Sequence, residues 1–242
     1  MNKDSEFRYT VPPRPEGEAL TFEEVEQRFL KQLDEKEGKC IQAIENLARL
    51  CAQTGRHDEA IRYLEQLMAL SNDPEEHAAY HLALGANMER IGDFPGAVKF
   101  YRHALGMEPC GRETWYFIHN NLGYSLNQLG RHDEAIPYLR HAIKIDPDYS
   151  NAHKNLGLAM EAKGQFAEAA SFYVSATQAN AADPRSLAHL ENLMLSHPGV
   201  EFELPSLTDQ LEACREAVKI ATSHQPDFEA LWKKDRLNQK RE

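Results

Sequence analysis

The chain has 242 residues, 42% of them hydrophobic and 27% charged, with a formal net charge of −11 at pH 7. That composition supports one large or two small buried cores, and its acidic balance argues against a nucleic-acid surface, which requires a basic patch. No run of about 18 apolar residues is present to span a membrane, and Cys40, Cys51, Cys110 and Cys214 form no CxxC pair and no zinc-type spacing with histidines.

Residues 1–20 combine charges with Pro12, Pro13, Pro15 and Gly17 and read as a disordered or extended tail. They hold no apolar stretch of the secretory kind, so a cytoplasmic protein is expected, with reduced cysteines and with Cys51 and Cys214 at buried positions. From Thr21 the pattern is helical almost to the end. Thr21 and Glu24 make a capping-box pair, and Phe22, Val25, Phe29 and Leu33 follow at helical spacing. A capping helix is therefore expected within residues 21–40.

The heptapeptide GRHDEAI stands at residues 55–61 and again, unchanged, at 130–136. It is part of a longer unit. Aligned on its glycine, the unit recurs at Gly55, Gly92, Gly130 and Gly164, at intervals of 37, 38 and 34 residues. Five residues after each glycine comes Ala60, Ala97, Ala135 or Ala169; seven further on comes Leu67, Ala104, Ala142 or Ala176. Seven residues before stand Ala48, Gly85, Gly123 and Gly157, each preceded by a leucine: Leu47, Leu84, Leu122 and Leu156. Two antiparallel helices approach closely only where side chains are small. Each unit is thus predicted to be a helix, a tight turn at the aligned glycine, and a second helix. Neither helix can bury its apolar face alone, so consecutive units must stack.

The segment NLGYSLNQLGRHDEAIPYLRHAIKIDP carries all these positions in register and resembles the tetratricopeptide repeat, a 34-residue helix–turn–helix family. The resemblance covers about residues 41–184. It implies an all-α fold: a right-handed α-solenoid of about four repeats, at 41–74, 78–111, 116–149 and 150–183, with N- and C-terminal capping helices. There are departures. Ala48 and Leu67 stand where glycine and alanine are usual, Ala181 replaces a terminal proline of the kind seen at Pro109 and Pro147, and His119 and His153 replace the usual tryptophan. The two longer intervals imply added residues near 71–76 and 110–114, as lengthened helix ends or loops. In the C-terminal segment, 185–242, residues 186–195 open like a fifth first helix. Residues 206–221 carry an apolar stripe of Leu207, Leu211, Cys214, Val218 and Ala221, and Phe228, Leu231 and Trp232 begin a last short helix.

Histidine and two acids in succession within GRHDEAI raise the question of a duplicated catalytic or metal site. Consecutive residues at a helix start diverge, so they cannot converge on one atom. Asp58 and Asp133 are expected instead to cap the second helix of their repeats and, with Glu59 and Glu134, to complement its dipole. His57 and His132 are expected in the exposed turn. His77 and His81 are four apart, but a zinc site needs further ligands and no HExxH motif occurs. His119 and His153 are expected as polar core packing. No Walker-type loop, GxSxG or Cys–His arrangement is present. Neither a cofactor, a metal nor an enzymatic activity is expected.

The resemblance also implies that the first helix of each repeat lines a concave groove. The groove positions hold an apolar floor (Leu82, Ala83, Ala86, Phe117, Tyr124) beside Asn120, Asn121, Asn151 and Asn155, with Lys154 between the last two. A carboxamide offers both an acceptor and donors, matching a peptide unit without demanding a particular sequence. The candidate peptide-binding residues are therefore Asn121, Asn155, Lys154, Asn120, Asn151, Tyr124, Phe117 and Leu82, with Asn121 and Asn155 facing solvent in the free protein. The cationic set of the chaperone-tail clamp is missing in registers centred on Asn121 or Asn155. The expected function is a non-enzymatic scaffold that binds a peptide or partner segment, with no nucleic acid and no membrane insertion, and compatible with homo-oligomerisation. Two alternatives stand beside it: a structural or oligomerisation module whose groove its own C-terminal helices or another subunit fills, and a regulatory subunit of an enzyme complex.

Overall fold

The computed structural model describes residues 21–36, 40–107 and 111–223. Expectations for residues 1–20, for Cys110 and for Phe228, Leu231 and Trp232 fall outside them. Twelve helices and no strand occur among the described residues. The chain divides into two compact units, Met1–Arg131 and His132–Glu242.

In the first unit, α1 (Phe22–Glu35) starts at a complete capping box: the Thr21 hydroxyl accepts from the Glu24 amide, and the Glu24 carboxylate accepts from the Thr21 amide. It packs on α2 (Ile41–Gln53), which pairs with α3 (His57–Leu70). Next come α4 (Pro74–Arg90), α5 (Phe94–Leu105) and α6 (Arg112–Gln128); α4 packs on α3, α5 and α6. The added residues lengthen first helices at their N-terminal ends: α4 and α6 have 17 residues where α2 has 13. The extra turn of α4 has a use. Its Glu75 carboxylate accepts the amide of Gly111, the N-cap of α6, at 3.1 Å.

The aligned glycines are the turns. Gly55, Gly92, Gly130 and Gly164 have φ of +77°, +84°, +71° and +74°, a left-handed conformation that side-chain-bearing residues rarely adopt. In each turn the next residue's amide bonds to a carbonyl five back: Arg56 to Cys51 at 2.8 Å, and Asp93 to Met88, Arg131 to Leu126 and Gln165 to Met160 at 2.9 Å. The glycine amide bonds three back. This is the Schellman closure of a helix end, repeated four times.

The small residues seven before the turns make room for a ring. A β-carbon on Gly85 would lie 2.4 Å from the Tyr101 ring of α5. In the first repeat Ala48 shares a cluster with Leu64, together with Ile44, Leu67, Tyr80 and Leu84.

The second unit contains α7 (His132–Ile145), α8 (Ser150–Ala162), α9 (Phe166–Ala179), α10 (Arg185–Ser196), the short α11 (Val200–Glu203) and α12 (Leu207–Ser223). α8 pairs with α7 and α9, and α10 packs on α9. There Gly157 faces the Tyr173 ring of α9 as Gly85 faces Tyr101, a β-carbon falling 2.6 Å from it. α12 lies against α9 and α10 and buries Leu207, Leu211, Cys214 and Val218. Cys51 and Cys214 are buried free thiols. No helix among the described residues is long and apolar enough to cross a membrane.

The capping role expected of Asp58 and Asp133 is not what the structure places there. α3 begins one residue earlier, with Arg56 at the N-cap and no side-chain cap bond. Side-chain caps are made by Asp73 and Asp93, at the starts of α4 and α5. Arg56 instead holds Glu59 and reaches Glu26 of α1 at 2.7 Å, tying the capping helix to the first repeat. Asp133 pairs with Lys163 at the end of α8, which holds its carboxyl below the usual range. His57 is half-buried rather than exposed, with Nδ1 2.9 Å from Asn87 Oδ1 on α4. The two identical heptapeptides acquire different partners because their neighbours differ.

Candidate functional site

The candidate residues fall in both units. In the first, Leu82 comes from α4 and Phe117, Asn120, Asn121 and Tyr124 from α6. Leu82, Phe117, Asn121 and Tyr124 are half-buried and Asn120 is buried. Phe94, opening α5, meets Tyr124 edge-on at 6.2 Å. Asn120 Nδ2 donates to Asn121 Oδ1 at 2.9 Å, so the Asn121 acceptor is engaged within the protein and its amide group is the part a ligand could use.

Glu89 of α4, Tyr101 of α5 and Ser125 of α6 are not among the candidate residues of the sequence. The three converge with Asn121. Ser125 Oγ donates to Glu89 Oε1 at 2.5 Å. Tyr101 is fully buried; its hydroxyl lies among Glu89, Asn121 and Tyr124 and makes no hydrogen bond of standard geometry to them. Burial pushes the Glu89 carboxyl up to about 7, against opposing stabilisation from Ser125, Tyr101 and Arg90. Burial, and next the Glu89 charge, raise the Tyr101 hydroxyl well above its ordinary range.

In the second unit α8 supplies Asn151, Lys154 and Asn155. Lys154 Nζ donates to Asn151 Oδ1 at 3.3 Å; burial, then nearby Arg185, lower its pKa. Asn155 is only 4% exposed. The expectation that it faces solvent in the free protein is therefore corrected: the chain itself covers it. Glu161 accepts the Tyr173 hydroxyl at 2.6 Å, and His189 stacks on the Tyr173 ring at 5.3 Å. A signal for this pairing was present in the sequence. Glutamate three residues before the turn glycine and tyrosine nine after it occur together in repeats two and four; repeats one and three have Ala52 with Leu64 and Asn127 with Leu139.

The histidines singled out in the sequence have local neighbours. His77 Nε2 meets the Ser71 carbonyl at 2.9 Å, and His81, buried, meets His103 edge-on at 5.4 Å. His119 is buried with Nδ1 2.9 Å from the Trp115 carbonyl, while His153 is half-buried against the Pro147 carbonyl. No group of three or more His, Cys, Asp or Glu side chains that could hold a metal occurs among the described residues.

Helical hairpins closed by left-handed glycines, with first helices presenting aromatic and carboxamide side chains, define an all-α repeat protein of the interaction-scaffold class. The sequence profile described as tetratricopeptide repeat matches residues 28–107 and 116–181, and the chain belongs to that family. Its fold is the tetratricopeptide solenoid. No curated protein matches the chain significantly in sequence. Among solved structures, BtubC (BKLC) from P. vanneervenii is similar with a TM-score of 0.65 at 17% identity, over 86% of this chain and 95% of that one. YrrB, described as a TPR protein with an unusual peptide-binding site, gives 0.57 at 18% identity, over 81% and 96%. MamA from Desulfovibrio magneticus RS-1 gives 0.55 at 20% identity, over 77% and 97%. At these identities the likeness is one of fold.

Proposed function

We propose that the protein is a non-catalytic scaffold that holds an extended peptide or partner segment against the first helices of its repeats, with repeats at 41–74, 78–111, 116–149 and 150–183 and end caps in 21–40 and 185–242. The observation that carries this reading is the surface of α4 and α6 in the first unit. Leu82, Phe117 and Tyr124 give it apolar area while the Asn121 amide stays beside them as a donor. Half-buried aromatics next to a carboxamide suit a peptide whose backbone is gripped and whose side chains rest on rings. YrrB is a protein of the same fold with a peptide-binding site. Asn151 and Lys154 offer a second set of donors in the other unit. No nucleic-acid surface and no cofactor enter this reading.

A partner captured by pull-down and titrated calorimetrically tests it. Asn121→Ala should weaken binding by about 0.5–1.5 kcal/mol per lost hydrogen bond. Tyr124→Ala should weaken it further, and Glu59→Ala at the start of α3 should leave it unchanged. Equal affinity across all variants, with normal melting, would remove this face as the binding surface. The oligomerisation reading is favoured by Leu195 and Phe202 of the second unit, 81% and 90% exposed, and the dependence of the sedimentation mass on concentration tests it.

A further inference from the structure

A surface that grips only peptide backbone has no need of a carboxylate, yet Glu89 stands within this one. Three elements frame it. α4 carries it, next to exposed Arg90; α5 brings the buried Tyr101; α6 brings Ser125, with Tyr124 next to it in the chain and Asn121 one turn back. Its hydrogen-bond partner is the neutral Ser125 hydroxyl, and no side-chain cation is paired with it among the described residues. Withdrawing an unpaired carboxylate from water is costly. The fold does not require one here, since Ala52 and Asn127 fill the equivalent positions of repeats one and three. Nor does the tyrosine account for it. In repeat four Tyr173 donates to Glu161 at 2.6 Å; Tyr101 stands beside Glu89 and helps to stabilise its carboxylate, but no bond of standard geometry closes between them. Glu89, with one hydrogen bond of standard geometry from Ser125, thus keeps accepting capacity at a half-buried position.

We propose that Glu89, with Tyr124 and Asn121 beside it, receives a basic side chain of the bound segment, an arginine guanidinium or a lysine ammonium. This rests on the groove reading above and adds a side-chain specificity to it. A guanidinium offers paired N–H donors to a carboxylate, and an aromatic ring such as Tyr124 favours a cation over its face. The cation supplies a directly hydrogen-bonded charge partner, where Arg90 acts on Glu89 only through its field. Arrival of that cation favours the ionised carboxyl, so binding releases a proton wherever Glu89 was protonated in the free protein. With a carboxyl titrating near 7, the ionised fraction rises about tenfold from pH 6 to pH 8, and affinity for the basic group rises with it.

The full-length protein, titrated by NMR with N-acetyl-arginine amide and with its neutral isostere N-acetyl-citrulline amide, tests this directly. The arginine probe should shift the signals of Tyr124, Ser125 and Asn121, with citrulline at least tenfold weaker. The arginine probe should also bind about tenfold more tightly at pH 8 than at pH 6. Glu89→Gln, which keeps the Ser125 bond and the side-chain shape, should abolish both the preference and the pH dependence. Equal binding of the two probes, absence of any arginine-dependent shift at these residues, or a pH profile unchanged in the variant would each overturn the proposal. The comparison of probes on the parent protein needs no variant to fold. Loss of partner binding in Asn121→Ala and Tyr124→Ala, with no arginine preference, would leave the groove reading standing and this inference refuted.

Discussion

Glu89 also links folding to pH. Its carboxyl titrates near 7 in the folded chain against an ordinary value near 4.5, so the folded state holds a proton that the unfolded chain releases. The contribution of this group to stability is complete below pH 4.5 and is lost as pH rises through 7. Glu89→Gln has nothing to titrate. Denaturant midpoints of parent and variant measured from pH 4 to 8 should therefore diverge, the parent losing on the order of 1–3 kcal/mol relative to the variant. Parallel curves would remove the linkage. Asn155 makes a different case. Buried and engaged within the chain, it should cost about 1–3 kcal/mol of stability when replaced by alanine, visible in a thermal melt without any ligand. A loss of binding in Asn155→Ala therefore has to be judged against that melt.

At the scale of the helix pair, α4 and α5 meet through Gly85 and Tyr101. Gly85→Ala should overpack this contact by about 1–3 kcal/mol, because the added carbon falls on the ring. Combined with Tyr101→Leu it recreates the Ala48–Leu64 pairing of the first repeat, so the double variant should recover part of the loss. A double-mutant cycle in urea returns that coupling energy, and a value of zero would place the ring elsewhere. In α7, Pro137 sits on the exposed side of the helix interior, where it withholds an amide from the Asp133 carbonyl. The first heptapeptide is followed by Arg62 at the same place. Pro137→Arg should stabilise the second unit by up to about 3 kcal/mol, raising its hydrogen-exchange protection.

For the molecule as a whole, the decisive question is whether its surfaces serve a partner or a second copy. A sedimentation mass that stays at the 27.5 kDa of one chain at every concentration tested would leave the peptide-scaffold reading without its oligomerisation rival. A mass that grows with concentration and returns to the monomer value in Leu195→Glu with Phe202→Glu would move the oligomerisation reading ahead. α12 bears on its other form. This helix spends its apolar stripe on α9 and α10, so the stripe is not available to fill the face of α4 and α6.

The repeat was legible in the sequence because its determinants are local. A left-handed turn tolerates little but glycine, and a buried helix contact tolerates little but small side chains, so Gly55, Gly92, Gly130 and Gly164 and the alanines five residues on mark the hairpins by themselves. The capping box of Thr21 and Glu24 is equally local. Which side chains carry the site was not legible to the same degree. Asn121 and Asn155 occupy the same repeat position, yet one is half-buried with its oxygen held by Asn120 and the other is covered by the chain. Identical heptapeptides pair with Asn87 and Glu26 in one repeat and with Lys163 in another. Glu89 becomes a perturbed carboxyl only because helix packing withdraws it from water, with Ser125 and Tyr101 pulling the other way. Backbone conformation and helix periodicity depend on residues a few positions apart, and one sequence determines them. Burial, pairing and ionisation depend on what the neighbouring helices present, and only the packed structure decided those.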